Sequence, residues 1–189
     1  MQRPNSIIQC YLCCLVLLGG TLLRAQTAEH PSASSSCDNE LPAQAKKAVT
    51  AKLKHWKVVT LADLAADDRE IWEDEYEEKC PGIAAGQFAP KQSRSWAVTL
   101  IRSSRGSLYQ TLVLVTEKNQ RYQVTTLSGS RKVARPSIVR RLPAGSYSSP
   151  QGETEIDAAF DVIAYETIEA GTMIYYWSNN KYRSLIISE

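Results

Sequence analysis

The stretch Trp96-Ala97-Val98-Thr99-Leu100-Ile101 is a short run of β-branched, aliphatic and aromatic residues, the composition that strands favour. It is the first of seven such runs, which Gly, Ser, Asn or Pro separate from one another. The other runs are residues 109–115, 122–127, 137–142, 161–168, 173–177 and 182–187. The last two flank Ser178-Asn179-Asn180-Lys181, where paired Asn residues tolerate the positive φ of a tight hairpin. The second half of the chain is therefore predicted to form strands.

Two helices are predicted before these strands. Pro42 suits the first position of a helix, and apolar residues then recur at helical spacing on one face. That face consists of Ala45, Val49, Leu53 and Trp56. After an extended run at residues 57–61, a second helix is predicted over residues 62–79, ending before Pro81-Gly82. Its apolar side consists of Leu64, Ile71, Trp72 and Tyr76.

Helices followed by strands indicate an α+β fold. We expect two N-terminal helices packed on a mostly antiparallel β-sheet of about six to seven strands. Residues 37–189 are numerous enough to form this fold as a single domain with a conventional core.

Residues 1–25 have the pattern of an export signal. Arg3 supplies a positive charge, residues 11–23 are mostly apolar, and Leu23-Arg24-Ala25 fits a cleavage site. The apolar run is shorter than the roughly 20 residues of a membrane-spanning helix, so a membrane anchor is the weaker alternative. Residues 26–36, rich in Ser, are predicted to be a flexible polar tether. We expect a periplasmic or secreted protein without stable membrane insertion after cleavage.

Removal of the signal changes the balance of charge. Arg3 and Arg24 leave with it, so the 22 basic residues become 20, against 20 acidic residues. A protein without net charge lacks the general basic field that attracts nucleic acid. No nucleic-acid partner is therefore expected.

Signal removal also leaves two of the five cysteines, Cys37 and Cys80. A single remaining pair in an oxidising compartment forms one disulfide most simply. Metal binding is the competing use, but the two cysteines are far apart in sequence and only His30 and His55 could assist them. We predict the disulfide, with no metal or other cofactor.

Two charged runs stand out. The acidic residues between positions 67 and 78 fit the solvated face of the second helix, with a basic partner as the alternative. Five cations follow in the second half of the chain: Arg131, Lys132, Arg135, Arg140 and Arg141. Aromatic residues are not interleaved with these cations as they are in single-strand nucleic-acid grooves. Intramolecular charge balance is the expectation, and an anionic polymer is the alternative.

The segment from Gly86 to Val98, GQFAPKQSRSWAV, resembles part of a single FG-GAP or VCBS-like repeat of exported bacterial proteins. Gly86, Phe88 and the strand opening at Trp96 match the frame of that repeat. The repeat binds calcium through loop carboxylates, since calcium takes six to eight oxygen ligands. In this chain the corresponding positions are Gln87, Ala89, Lys91 and Ser95. The resemblance thus implies a former metal loop that no longer binds metal, and a single copy excludes a propeller.

Aromatic residues near the C-terminus are the candidate recognition surface. Tyr175 and Trp177 share one face of a strand, and Tyr165 lies on a neighbouring predicted strand. Flat amphipathic rings of this kind suit contact with a glycan or an extracytoplasmic protein. The alternative is that the rings pack within the fold, in cross-strand pairs with Tyr182 or Arg183.

Catalytic motifs are not apparent in the sequence. No nucleophile has an obvious histidine partner, and nucleotide-binding loops and His-Glu-x-x-His pairs are missing. We therefore expect an exported, non-enzymatic binding or interaction module. One alternative is a small exported inhibitor of a cell-wall hydrolase, with contacts in the loop at residues 144–154. The other is a two-carboxylate hydrolase, which requires two acids close together in a cleft.

Overall fold

A computed structural model describes residues 35–90 and 94–189. The predicted signal peptide at residues 1–25 and most of the predicted tether at residues 26–36 lie outside these ranges. The tether ends earlier than predicted, because its last two residues already belong to the first helix, Ser35–Asp38.

Short helices come first and strands follow. The helices are α1 (Ser35–Asp38), α2 (Ala43–Lys52) and α3 (Ala66–Glu75), with a 3-10 turn at Leu61–Asp63. The first six strands are β1 (Lys57–Val58), β2 (Ile83–Gly86), β3 (Ser95–Ser104), β4 (Ser107–Lys118), β5 (Arg121–Val133) and β6 (Ile138–Leu142). The last five are β7 (Gly145–Ser148), β8 (Glu155–Ala158), β9 (Val162–Thr167), β10 (Gly171–Ser178) and β11 (Lys181–Ser188). This order is α+β, as predicted.

The strands form three sheets rather than one. Sheet A has the order β1-β3-β4-β5, with β2 also paired to β3. Sheet B has the order β11-β10-β9-β6, and β7 and β8 form a separate hairpin. All seven predicted runs are found, as β3 to β6 and β9 to β11, and every pairing of the described strands is antiparallel. The prediction of one sheet with six to seven strands is wrong, because the runs divide between two packed sheets.

Sheet A is the middle layer of the fold. On one face, Val98 and Val113 pack against Ala45 and Val49 of α2. On the other face, Ala97, Leu112 and Leu114 pack against sheet B residues such as Ile163. Both faces of β3 and β4 are therefore buried, which explains why these strands are continuous apolar runs. Two antiparallel sheets packed face to face make a β-sandwich, here with α2 on its outer side and Trp72 of α3 packed on residues of both sheets.

The residues predicted for the two apolar faces are buried or half-buried, but both helices are shorter than predicted: α2 ends at Lys52, before Leu53 and Trp56. Ala45, Val49 and Trp72 are buried in the positions expected. Leu64 and Ala65 adopt extended backbone angles, which separates the 3-10 turn from α3. Tyr76 is also extended, so α3 ends at Glu75. None of the helices in the described part of the chain has the length and hydropathy of a membrane span.

The predicted disulfide is confirmed. Cys37 and Cys80 are bonded across 43 residues, with their Cα atoms 4.9 Å apart. Both cysteines are buried in the core beneath α2. The bond joins α1 to the segment that leads into β2, and it encloses α2, α3 and β1.

The predicted hairpin turn is also confirmed. Asn179 and Asn180 have φ values of 50° and 61°, and β10 pairs with β11 up to Ser178 and Lys181. Asparagine tolerates this left-handed conformation better than most residues with a Cβ atom. The turn fixes the register of β10 and β11, the two strands that carry most of the C-terminal aromatic residues.

Candidate functional site

The loop between β2 and β3, which the sequence predicts to be a former metal loop, belongs to sheet A and is bonded to sheet B. Phe88 is fully buried between them. The backbone N–H of Gln87 donates to Asp161 Oδ2 at 2.8 Å, and the N–H of Asp161 donates to the Gln87 carbonyl at 3.1 Å. Arg141 Nη1 lies 3.7 Å from the same carboxylate oxygen. This carboxylate therefore holds the loop to the start of β9, where the calcium-binding repeat would have a metal ion.

The positions that correspond to calcium ligands do not form a ligand set. Gln87 is exposed, whereas Ala89 and Ser95 are buried. Lys91 lies in the three-residue gap outside the described ranges. Among the residues that the structure describes, no group of three or more His, Cys, Asp or Glu side chains is arranged to hold a metal.

Calcium is expected not to bind this loop. Two neutral side-chain oxygens are too few for an ion that takes six to eight oxygen ligands, and the Lys91 ammonium would repel it. Isothermal titration with calcium should show no binding heat, and the melting temperature should be equal in calcium and in chelator. A micromolar midpoint, or a melting temperature lowered by chelator, would contradict the prediction.

The basic run is largely balanced within the protein. Arg135 Nη1 lies 2.8 Å from Asp67 Oδ2 and 3.0 Å from Asp68 Oδ1. This guanidinium holds the pKa of the Asp67 carboxyl below its usual value. The Arg131 guanidinium lies 5.3 Å from the centre of the Tyr165 ring. Intramolecular balance, the expectation from the sequence, is therefore present at these positions.

A second polar cluster joins α3 to sheet B. Arg140 donates to Glu166 Oε2 through Nε at 3.2 Å and Nη2 at 2.7 Å. The Tyr76 hydroxyl donates to Glu166 Oε1 at 2.7 Å, and burial together with this carboxylate raises the pKa of Tyr76. The Arg140 guanidinium also stacks 4.6 Å from the Tyr76 ring centre. Tyr76 and Arg140 line a cavity of about 550 Å³, but both are already bound to Glu166.

A two-carboxylate hydrolase requires two acids close to each other, so the partners of the buried carboxylates bear on that alternative. Among the described residues, Asp68 is the one carboxylate that is almost fully buried, and its partner is Arg135. Glu166 is mostly buried and is bound to Arg140 and Tyr76. Both acids are therefore occupied by cationic partners rather than by each other.

The loop at residues 144–154 is more ordered than a surface loop. Its first part is β7, and the β7–β8 hairpin packs Tyr147 and Ile156 on the outer face of sheet B. The hairpin tip is closed by a backbone bond from Ser149 N–H to the Thr154 carbonyl at 2.9 Å. The Ser149 hydroxyl oxygen also accepts the Thr154 N–H at 3.1 Å. An inhibitor needs an ordered loop of this kind, and that alternative stays a prediction.

The predicted aromatic surface is only partly accessible. Tyr165 and Tyr175 are 4% and 8% exposed, because sheet A covers this face of sheet B. The Tyr165 hydroxyl accepts a hydrogen bond from Gln110 Nε2 at 2.7 Å, within the core. The prediction of an exposed patch is therefore wrong for Tyr165. Trp177 is half-buried, and its ring meets the Tyr182 ring edge to face at 5.0 Å.

Tyr175 and Trp177 instead line a cleft between the edges of the two sheets. On one side of the sandwich, β2 and β6 lie close together, and Val139 N–H donates to the Pro81 carbonyl at 2.8 Å. On the other side, β5 and β11 are each paired with one neighbour among the described strands, and the sheets separate there. The space between them, here called the inter-sheet cleft, has a volume of about 510 Å³. Its lining residues are Leu114, Thr116, Gln123, Thr125, Thr126, Leu127, Tyr175, Trp177, Lys181, Tyr182, Arg183 and Ser184.

The alternation of side chains along the strands decides which of these residues point into the inter-sheet cleft. On sheet A, Leu114 faces sheet B, so its neighbours on the same face are Thr116, Gln123 and Thr125. On sheet B, the inward-facing side chains are Tyr175, Trp177, Tyr182 and Ser184. Lys181 and Arg183 alternate with these residues and project to the opposite face. Among the described lining residues, the inward-facing side chains are therefore all neutral.

The sequence did not single out the polar wall of this cleft. Gln123 and Thr125 lie on the same face of sheet A as the buried apolar residues Leu112 and Leu114, and both are exposed. The sequence did contain one signal for this wall. Polar Gln123 and Thr125 alternate with apolar Val124, which is buried, so the two faces of β5 have different surroundings. The position of β11 opposite β5 was not visible in the sequence.

A third cavity, of about 500 Å³, lies between α2 and β1. It is mostly apolar and lies beside Cys37 and Trp56, and the two lysines at its border, Lys46 and Lys57, are paired with Asp38 and Asp63. Its polar border is formed mainly by charged groups that are paired with one another, with Thr50 as an exposed neutral side chain. The inter-sheet cleft combines an apolar surface with several neutral polar side chains and is the better candidate site.

Comparisons of the chain with protein-family models, with curated proteins and with solved structures find no match. The resemblance of residues 86–98 to an FG-GAP or VCBS-like segment therefore stays a prediction from the sequence.

Proposed function

We propose that the protein is an exported, non-enzymatic binding module whose ligand occupies the inter-sheet cleft. The observation that carries this proposal is the combination of an aromatic wall on sheet B with a neutral polar wall on sheet A. Ligand sites are typically clefts of about 300–1,000 Å³ with apolar surface and a few polar groups that fix orientation. The inter-sheet cleft, at about 510 Å³, has this size and composition.

An extracytoplasmic location supports the proposal. The Cys37–Cys80 disulfide is compatible with a periplasmic or extracellular protein, since disulfides persist in oxidising compartments. The predicted signal at residues 1–25 leads to the same location. Partners of the protein would then be glycans or proteins outside the cytoplasm.

The walls of the cleft are built from paired strands, which favours binding. The wall strands β5 and β10 pair with β4 and β9, and those two strands are anchored in the core by the fully buried Leu112 and Ile163. The Asn179-Asn180 turn fixes β11 against β10 at the mouth of the cleft. A site that is already formed loses less conformational entropy when ligand binds.

Substitutions in the inter-sheet cleft are expected to abolish binding without unfolding the protein. We would apply the labelled protein to an array that carries extracytoplasmic glycans and peptides. Thr125→Lys places a long cation in the cleft from an exposed position, and Trp177→Ala removes its aromatic wall. Both variants should lose the array signals that the wild type gives, by about tenfold or more.

Trp56→Ala is the matched control. Trp56 is also a half-buried tryptophan, but it lies near α2 and beneath Arg102, away from the cleft. This variant should keep the wild-type signals, and circular dichroism should confirm that all three variants are folded. If no array component binds, or if Thr125→Lys binds as the wild type does, the cleft is not the site.

A further inference from the structure

We infer that the inter-sheet cleft accepts a short neutral glycan; this inference rests on the proposed function. The first argument is charge. None of the inward-facing side chains described above is ionised, although Lys181 and Arg183 lie next to them in sequence. A charged ligand would lose hydration on entering without gaining a counter-charge from these side chains. The cleft therefore favours a ligand without net charge.

The polar wall fits the hydroxyl groups of a sugar. The Gln123 amide offers two donors and one acceptor, and the Thr116 and Thr125 hydroxyls can each donate and accept. Ser184, on the facing wall of sheet B, adds a third hydroxyl. Sugar hydroxyls are also both donors and acceptors, so these groups match them in either direction. Gln123, Thr125 and Ser184 are exposed, which leaves them accessible to a ligand in place of water.

The aromatic wall fits the apolar face of a sugar ring. Trp177 and Tyr182 pair edge to face at 5.0 Å, and Tyr175 lies beside them with its ring mostly buried. The negative faces of aromatic rings attract the partly positive C–H groups that cover one side of a pyranose. Polar groups on one wall and rings on the other would hold a sugar between them.

An extended peptide added as a further strand is the competing ligand. Strand addition needs a regular edge. The pairing of β5 with β4 shifts register on either side of Leu112, which places the irregularity at Leu127 in the cleft lining. The pairing of β11 with β10 is regular along the cleft and shifts only beyond it, between Thr172 and Met173. The irregularity in β5 disfavours pairing with another strand at that wall, and the glycan is the ligand that the neutral side chains of both walls match.

The inference is tested with three sets of probes: neutral hexose and N-acetylhexosamine oligosaccharides, uronic acid oligosaccharides of similar length, and uncharged extended peptides. Titration calorimetry should show at least one neutral oligosaccharide binding about tenfold or more tightly than its uronic acid counterpart. Its affinity should change little with salt, because no ion pair forms. Gln123→Ala should weaken binding roughly threefold to tenfold, the effect of one neutral hydrogen bond.

Each outcome separates this inference from the proposed function. If uronic acid oligosaccharides or peptides bind more tightly than every neutral glycan, and Thr125→Lys abolishes that binding, the cleft is a site but not for a neutral glycan. If a neutral glycan binds equally to wild type and Thr125→Lys, both the inference and the site are wrong. If no probe binds, the inference is also wrong. Lys132→Ala, at an exposed position at the far end of β5 and outside the cleft lining, should bind as the wild type does and serves as the matched control.

Discussion

Replacing Cys37 and Cys80 together with alanine is expected to lower the free energy of unfolding by about 4 kcal/mol. The disulfide spans 43 residues, and opening it allows the unfolded chain many more conformations. The enclosed segment contains short helices, which depend on tertiary contacts for stability. For a domain of this size the melting temperature should fall by roughly 10 °C.

The measurement is urea unfolding of the wild type, the double variant and the wild type under reducing conditions. The reduced wild type should match the double variant, since both lack the same cross-link. Lys47→Ala, at an exposed position of α2, is the control and should change stability by less than about 1 kcal/mol. A double variant as stable as the wild type would show that the bond contributes little.

Strand positions could be predicted from the sequence because local composition determines them. Runs such as Trp96 to Ile101 have no polar face, and each run was found as a strand. Which surface covers each face is a long-range property. Val98 packs under α2 and Ala97 packs against sheet B, and neither contact has a local signal. The division into two sheets was therefore missed, although the fold class was predicted correctly.

The candidate site was predicted only in part for the same reason. Trp177 was recognised as a possible contact residue from its type and its strand. Tyr165 was placed on the same surface, but sheet A covers it, and its hydroxyl is bound to Gln110. Gln123 was not recognised, because its importance depends on the position of β11 across from β5. Two strands nearly sixty residues apart create this cleft, and a single sequence contains no record of their proximity.

The Cys37–Cys80 pair and the former metal loop show what a sequence can and cannot settle about connections. After removal of the predicted signal, each of the two cysteines has only the other to bond with, so the disulfide could be predicted. The absence of carboxylates at Gln87 and Ala89 predicts that this loop binds no metal, which stays a prediction, but it did not indicate what holds the loop in place. That residue is Asp161, which is 74 residues from Gln87 and accepts its backbone N–H.

Phe88→Ala is expected to destabilise the protein by about 3–5 kcal/mol, the usual cost of removing a fully buried phenylalanine. The Phe88 side chain is 0% exposed and packs with Ala97, Val139 and Ile163 between the two sheets. A Cβ atom added at Gly86 would lie 2.8 Å from the Phe88 ring, so the backbone already contacts one side of that ring closely. Because the surrounding residues are closely packed, they cannot move into the volume that the Phe88 ring leaves, and a cavity remains.

Phe160→Ala is the matched control, because Phe160 is the only other phenylalanine in the chain and is half-buried beside Asp161. Denaturant unfolding should show a clearly larger loss for Phe88→Ala than for Phe160→Ala, with the same slope against denaturant concentration. Phe88→Leu should recover part of the loss because it refills most of the volume. Equal losses in the two alanine variants would mean that the loop is peripheral. A larger loss for Phe88 would mean that the loop, whatever its ancestry, now contributes to stability by joining the two sheets whose opposite edges form the inter-sheet cleft.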